Sequence, residues 1–352
     1  MDPISYLLLI ITVLLSSAVS VRLVKGLGVK NGWIAIIRED RWHESIAALH
    51  GGVGFYPALL MGMIIVLISY YQHSQLDSGE LLLLMSLISG SFIMFIFGLA
   101  DDILQFKPVT KLIIQSIAAS LFIVAGGVYP LSDNNSFNII ITYIWIIGLT
   151  NAVNMLDNMD GLTTGIVIIA SLAVMMYTFL IGQSQFPAFY ICGVLSVALF
   201  GFWLFNFPPA SIFMGDSGSL SIGYLIGALT IPSSLNGVFG FSRENGHIFS
   251  YLFLLIPLII LAVPIFDTTF VVISRIRRSV KIYQGGRDHT SHSFILKGFS
   301  ENKTLFLLYS IGLLGGAIPI FLLYSQVLFL LLSSVYLVTI FLIGAYLSND
   351  KH

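Results

Sequence analysis

Charge is scarce in this chain. Asp, Glu, Lys and Arg make up 9% of its 352 residues, where a soluble domain carries about 25%. With 57% hydrophobic residues and a mean hydropathy of +0.95, a soluble globular domain is excluded and an integral membrane protein is implied. The formal net charge is −1, and no basic run of the nucleic-acid type is present, so nucleic acid is not an expected partner. Cysteine is almost absent. Cys192, alone in an apolar run, makes no internal disulfide and excludes a thiolate zinc site; it reads as a small packing residue. A basic leader is missing too. MDPISYLLLIITVLLSSAVS ends in a faint cleavage-like Ala-Val-Ser, but Asp2 is its only charged side chain before Arg22. It reads as an uncleaved first transmembrane helix with Arg22 and Lys25 behind it. There is no low-complexity segment and no clear internal repeat, and the paired broken helices of an inverted-repeat transporter are not seen.

What is there is a series of apolar runs near the roughly 20 residues a bilayer crossing needs. Eleven spans are expected: 4–24, 51–71, 81–100, 109–129, 137–153, 161–181, 188–207, 217–232, 248–273, 303–323 and 326–346. The fold class is therefore all-α, a polytopic membrane protein forming a single transmembrane domain over residues 1–352. Lys and Arg set the orientation. With the N-terminus outside, segments 25–50, 101–108, 154–160, 208–216, 274–302 and the C-terminal tail are cytoplasmic. Fifteen of the sixteen Lys and Arg then lie in those segments or at their helix ends, and only Arg243 lies outside. In the same orientation Asp101, Asp102, Asp157, Asp160 and Asp216 all lie at cytoplasmic helix ends. Solvated loop acids would scatter to both faces; these converge on one. Asp267 alone is deep, about two turns inside the ninth span.

Four stretches carry the chemistry. GLADDILQFKP (98–108) puts two adjacent acids at a helix end, where mutual repulsion raises the pKa of one and a divalent cation would offset it. Lys111 and Gln115 follow at i, i+4 spacing. NAVNMLDNMDGLTTG (151–165) packs three Asn and two Asp into residues 151–160, expensive groups to desolvate beside lipid. Continued as a helix, it places Asn154, Asp157 and Asn158 on one face, flanked by Asn151 and Asp160. Such a face suits a phosphate or polyhydroxyl ligand with its metal. FMGDSGSLSIGYLIG (213–227) opens a helix behind Gly215, where N–H groups attract phosphate. Asp216 there is either an N-cap or a ligand for a hard cation such as Mg²⁺. SRIRRSVKIYQGGRDHTSHSFILKG (274–298) is a basic loop. It holds Arg287, His289 and His292 after Gly285-Gly286, a set able to neutralise a diphosphate. Arg275, Arg277 and Arg278 read as positive-inside charges. Hard acids and a basic loop together point to phosphoryl chemistry, which needs charge neutralisation and positioning more than covalent catalysis.

These four motifs, in this order, resemble the polyprenyl-phosphate N-acetylhexosamine-1-phosphate transferase superfamily, of glycosyltransferase family 4 type. GLADD, NAVNMLDNMDGL, FMGDSGSLSIG and GRDHTSH carry the resemblance across nearly the whole chain. It implies a membrane enzyme moving a sugar-1-phosphate from a UDP-sugar donor to a polyprenyl (undecaprenyl) phosphate acceptor, releasing UMP. That would be the first membrane step of cell-surface glycan synthesis. It implies Mg²⁺ as cofactor, with Mn²⁺ able to substitute, a bacterial inner-membrane location with the site on the cytoplasmic face, and lipid as a partner; a homodimer is compatible with it. By the same resemblance Asp216, with Asp157, is the metal-binding set and Phe213 the aromatic against uracil. Asp160 contacts the nucleoside, and Asn154 and Asp157 flank the diphosphate. From their places in the motifs themselves, Asn151, Lys111 and Arg287 complete the expected substrate-binding set. Asp101, Asp102, His289 and His292 are the catalytic candidates, the two acids serving either to deprotonate the lipid phosphate or to organise the metal region.

The chain departs from the family in two places. Ser291 replaces one His of a His-x-His-His motif. The first loop, RWHESIAALHGG (41–52), keeps Gly51-Gly52 but loses the family's Lys and Pro-Thr-Pro, leaving Arg41, His43 or His50 to supply the cation. The favoured sugar is GlcNAc; a phospho-MurNAc-pentapeptide-type transferase and a secondary transporter are the alternatives. A CDP-alcohol phosphotransferase is excluded, because its D-G-x-x-A-R pattern is absent.

Overall fold

The computed structural model describes residues 1–34, 47–73, 78–182, 187–231, 247–283 and 286–348. These residues are helical almost throughout. In chain order they form α1 (Pro3–Asn31), α2 (Gly51–His73), α3 (Ser78–Leu104), α4 (Pro108–Val124), α5 (Asn135–Leu156), α6 (Leu162–Leu180) and α7 (Pro187–Asn206). There follow α8 (Gly215–Leu229), α9 (His247–Ile260), α10 (Ala262–Arg277), α11 (Thr290–Leu296), α12 (Glu301–Ala317), a 3₁₀ turn at Ile318–Leu323 and α13 (Gln326–Ser348). The chain punctuates its helices by ordinary capping chemistry. At α1, Asp2 accepts hydrogen bonds from the amides of Ile4 (3.1 Å) and Ser5 (3.0 Å), with Pro3 at the first helical position. Gly32 closes the helix at φ 73°, a conformation that costs glycine little.

Among the described residues, eight helices are long and apolar enough to cross a membrane: α1, α2, α3, α5, α6, α7, α12 with its 3₁₀ extension, and α13. The other three expected spans differ. The 109–129 span ends at Val124. The 217–232 span is the 15-residue α8, about 22 Å long at 1.5 Å per residue. The 248–273 span is two helices, broken at Leu261. Pro264 explains the break: it has no N–H to offer the carbonyl of Ile260, and its ring crowds that carbonyl.

The short α8 is tolerated because protein, not lipid, surrounds it. Every residue from Ser217 to Leu229 is buried, and the helix packs against α2, α3 and α5. Small residues make this close. A Cβ on Gly223 would stand 3.0 Å from the Thr150 Cα, and one on Gly98 would stand 2.3 Å from the Asp216 carbonyl oxygen and 2.6 Å from the Ser217 Cα. Gly98 is thus the point where α3 touches the start of α8. Gly98→Ala forces backbone against backbone, so it is expected to destabilise the protein by about 1–3 kcal/mol. Thermal unfolding in detergent measures this, and an unchanged melting temperature would show that α3 and α8 are not packed this tightly. Cys192 is buried on α7, a packing residue as its surroundings in the sequence imply.

Candidate active site

The ends of α3, α4, α5 and α8 bring one group of polar side chains together. Lys111, on the first turn of α4, reaches both Asp101 on α3 and Asp216 on α8; its Nζ pairs with Asp101 Oδ2 and lies 2.8 Å from Asp216 Oδ2. The other oxygen of Asp216 accepts from the Asn154 amide at 2.9 Å, and the same amide donates to the Ser219 hydroxyl at 2.8 Å. Asp101 is buried, and its second oxygen accepts the Phe106 amide at 2.7 Å. Five of the expected residues (Asp101, Asp102, Lys111, Asn154 and Asp216) therefore meet at one place, although Lys111 and Asp216 are 105 residues apart in sequence.

Asp102 does a different job from its neighbour. Its carboxylate accepts the backbone amides of Asp216 (2.7 Å) and Ser217 (3.2 Å). It caps the N-terminus of α8 from another helix, where a negative charge also meets the favourable end of the helix dipole. Asp216 is consequently not the cap of its own helix; both its oxygens face Asn154 and Lys111. Gly215, at φ 74°, makes the sharp entry that lets the α8 amides face Asp102.

The remaining candidates are distributed around this cluster. The expected single face of Asn151 to Asp160 does not exist, because α5 ends at Leu156 and Asp157 is its C-cap. The chain then turns, with Gly161 at φ 71°, and the polar residues fan out. Asn151 points to α4, where it exchanges two hydrogen bonds with Gln115 (2.8 and 3.1 Å) and gives a third to the Ile147 carbonyl (2.8 Å). It is a helix–helix clasp one turn below the Lys111–Asn154 layer, not a member of the cluster. Asp160 is buried and accepts the Ala210 amide at 2.8 Å, fixing the segment before α8. Phe213 lies in that segment, whose backbone pairs with residues 48–52: Phe213 N donates to Ala48 O (2.9 Å), Gly51 N to Phe213 O (2.7 Å) and Gly52 N to Met214 O (2.8 Å). This brings His50 to the cluster, its Nδ1 3.7 Å from Asp102 Oδ2. Of the three first-loop replacements for a cation, Arg41 and His43 lie outside the described residues, as do Gly285 and Arg243.

The basic loop is more ordered by side chains than positive-inside charges require. Arg275 is buried and binds Asp288 through Nε (2.8 Å) and Nη2 (2.7 Å), and Arg278 adds a third bond to Asp288 at 2.7 Å. Burial works to raise the Asp288 pKa, but the Arg275 hydrogen bonds and charge outweigh it and hold that carboxyl below its usual range. Arg287 is exposed. Ser291 donates to Asn158 Oδ1 at 2.6 Å, so the residue standing in place of a family His ties α11 to the α5–α6 turn. His289 meets the deep acid Asp267, Nδ1 to Oδ2 at 2.8 Å. Asp267 was legible as an ionisable group in an apolar run. Asp288, Gln115 and the buried Asn206, which holds Gly161 N, the Thr164 hydroxyl and the Ile212 carbonyl, are partners whose roles emerge only in three dimensions.

His292 is buried, and burial first, then the neighbouring His289, pushes its pKa down to about 4. With no anion bound, it is neutral at pH 7. An unfolded His titrates near 6.5. Between 6.5 and about 4 the unfolded chain therefore binds the extra proton, and stability falls as pH falls through that window. The melting temperature of the solubilised protein is expected to drop from pH 6.5 toward 4, and His292→Gln to remove part of the drop. An undiminished drop in the variant would place the titration elsewhere.

Among the described residues no three His, Cys, Asp or Glu side chains form a ready metal cage. Mg²⁺ does not require one, since it commonly takes one or two carboxylates and completes its shell with substrate phosphate and water. Asp216 fits that use. It is partly exposed, and its carboxylate already faces a cation, the Lys111 ammonium.

A family model described as glycosyl transferase family 4 matches residues 84–234, which contain three of the four motifs. The chain is 28% identical to a probable undecaprenyl-phosphate N-acetylglucosaminyl 1-phosphate transferase of Bacillus subtilis (strain 168), over 96% of this chain and 89% of that relative. It is 28% identical to a decaprenyl-phosphate N-acetylglucosaminephosphotransferase of Mycolicibacterium smegmatis, over 81% of this chain and 74% of the relative. It is 29% identical to a phospho-N-acetylmuramoyl-pentapeptide-transferase of Limosilactobacillus fermentum, over 81% and 86%. The chain is thus similar to glycosyl transferase family 4 over residues 84–234, and along most of its length to transferases that act on polyprenyl phosphates by name.

Proposed function

We propose that this protein transfers GlcNAc-1-phosphate from UDP-GlcNAc to a polyprenyl phosphate in a bacterial inner membrane. The observation that carries the reading is the Lys111–Asp101–Asp216–Asn154 cluster, set against α8 whose N-terminal amides Asp102 caps. An oxygen of the acceptor phosphate attacks the sugar-bearing phosphorus of the donor. A new P–O bond forms, the P–O bond to UMP breaks, and UMP leaves with the electron pair. The acceptor's second pKa is near 6, as in other phosphate monoesters, so it is largely a dianion at neutral pH. Lys111 and the exposed Arg287 lower the cost of bringing anions together. Asn154 orients Asp216, and the Phe213 ring stacks on uracil. Asp216, with Asp157, would hold Mg²⁺, for which Mn²⁺ can substitute; when bound, the ion neutralises phosphate charge. Asp267 has no role here as an open transport site, because it is committed to His289 and Thr290.

The test is purified protein with Mg²⁺ and undecaprenyl phosphate offered a panel of radiolabelled UDP-sugars, with the lipid extract counted. UDP-GlcNAc should label the lipid. Labelling by UDP-MurNAc-pentapeptide alone would favour the phospho-MurNAc-pentapeptide reading, and no labelling by any donor would defeat both. The site faces the cytoplasm in this proposal, with the N-terminus outside. On a Cys192→Ser background, an impermeant maleimide applied to intact cells should label Arg243→Cys and spare Lys281→Cys. The reverse pattern would overturn the orientation.

A further inference from the structure

The proposed transfer leaves one buried acid without a task. Asp267 is fully buried on α10, and three donors converge on it. Oδ1 accepts the Thr290 amide (2.8 Å) and hydroxyl (2.6 Å), and Oδ2 faces His289 Nδ1 at 2.8 Å. We infer that Asp267 is a positioning residue for His289: it keeps the ring proton on Nδ1 and leaves Nε2 as the atom that meets the donor substrate. The inference rests on the transferase reading for its substrate and on geometry for the rest.

An ionised carboxylate can only accept hydrogen bonds, so with Oδ1 filled by two donors the Oδ2 contact requires a proton on His289 Nδ1. Tethering alone does not explain an acid at this position. Helix α11 is already held by the Ser291–Asn158 bond at 2.6 Å, and the loop before it by Arg275 on Asp288. Burying a carboxylate is expensive, and a neutral amide would accept from Thr290 equally well. What an amide cannot do reliably is fix the tautomer of His289, because its N–H₂ end can turn to the ring and move the proton to Nε2. The break at Leu261 is what makes the contact possible, since it starts a new helix that carries Asp267 beneath residues 289–290.

Two measurements decide it. Protein labelled with ¹⁵N-histidine, with the His289 signals assigned by their loss in His289→Gln, should show a protonated, pyrrole-type Nδ1 in the wild type. Asp267→Asn should shift His289 toward protonation on Nε2. A wild-type His289 protonated on Nε2 alone overturns the inference, whatever the enzyme's substrate proves to be. The second measurement is a double-mutant comparison in the transfer assay. Asp267→Asn is expected to lower kcat/KM on the order of 10²-fold or more, as a wrongly held catalytic imidazole does. If it acts through His289, the Asp267→Asn/His289→Gln double variant is no worse than the poorer single variant. Losses that multiply would make Asp267 a structural tether and overturn the assignment. Should the wild type label lipid from no UDP-sugar, the transferase reading fails by itself, and the ¹⁵N spectrum still decides the tautomer.

Discussion

Asp216→Asn is expected to yield a folded protein whose transfer rate is reduced on the order of 10²-fold or more, the scale of one lost electrostatic contact in a transition state. The fold should persist because the start of α8 is held by Asp102 and not by Asp216. Size and the contact with Asn154 are kept, since an amide oxygen can accept where the carboxylate did. What disappears is the charge that faces Lys111 at 2.8 Å and that would hold the metal. The loss should therefore be greatest at low Mg²⁺ and should fall mainly on kcat. Near-wild-type turnover at low Mg²⁺, with the same melting temperature, would reduce Asp216 to a surface carboxylate and move the metal site elsewhere.

Asp216 also illustrates what the sequence made legible. FMGDSGSLSIG stands out because a charged residue and glycines interrupt an apolar run, and interruptions of that kind are costly beside lipid. The same contrast exposed Asp101-Asp102, the Asn-rich stretch and the histidines. Which of them touch was not legible. Lys111 was visible as a neighbour of the acid pair at helical spacing and as a substrate-binding candidate; its bond to Asp216 depends on the starts of α4 and α8 coming together in space, which no local pattern encodes. The face from Asn151 to Asp160 failed for a local reason: periodicity was extended past Leu156, while Asn-Met-Asp-Gly, with Gly161 at positive φ, was the stop signal. The ninth span is two helices and not one for a similar reason, since hydropathy runs smoothly through Pro264 although the backbone hydrogen bonding does not. In both cases a polar or imino residue broke a helix that composition alone would continue.

The acid pair gives the second large effect, and its two members should fail for different reasons. Asp101 is buried against Lys111 and the Phe106 amide. Asp101→Asn leaves Lys111 with one acid instead of two and loosens its placement over Asp216. Asp102→Asn keeps one acceptor for the amides of Asp216 and Ser217 but gives up the second and the negative charge at the α8 N-terminus, worth about 0.3–1 kcal/mol, and lets the start of α8 drift. Neither carboxylate is disposed as a free base, because each already accepts short hydrogen bonds from the protein. The acceptor has little need of one, being largely ionised above its second pKa near 6. Both variants are therefore expected to lower kcat at every pH from 6 to 9, with no recovery at the alkaline end. A general base predicts the opposite profile, a variant whose rate climbs as more acceptor ionises unaided. A pH–rate series on both variants separates the two models, and substantial recovery of either one above pH 8 would restore that residue as the base. Asp102→Asn should in addition lower the melting temperature, whereas a residue acting only in proton transfer would leave it unchanged.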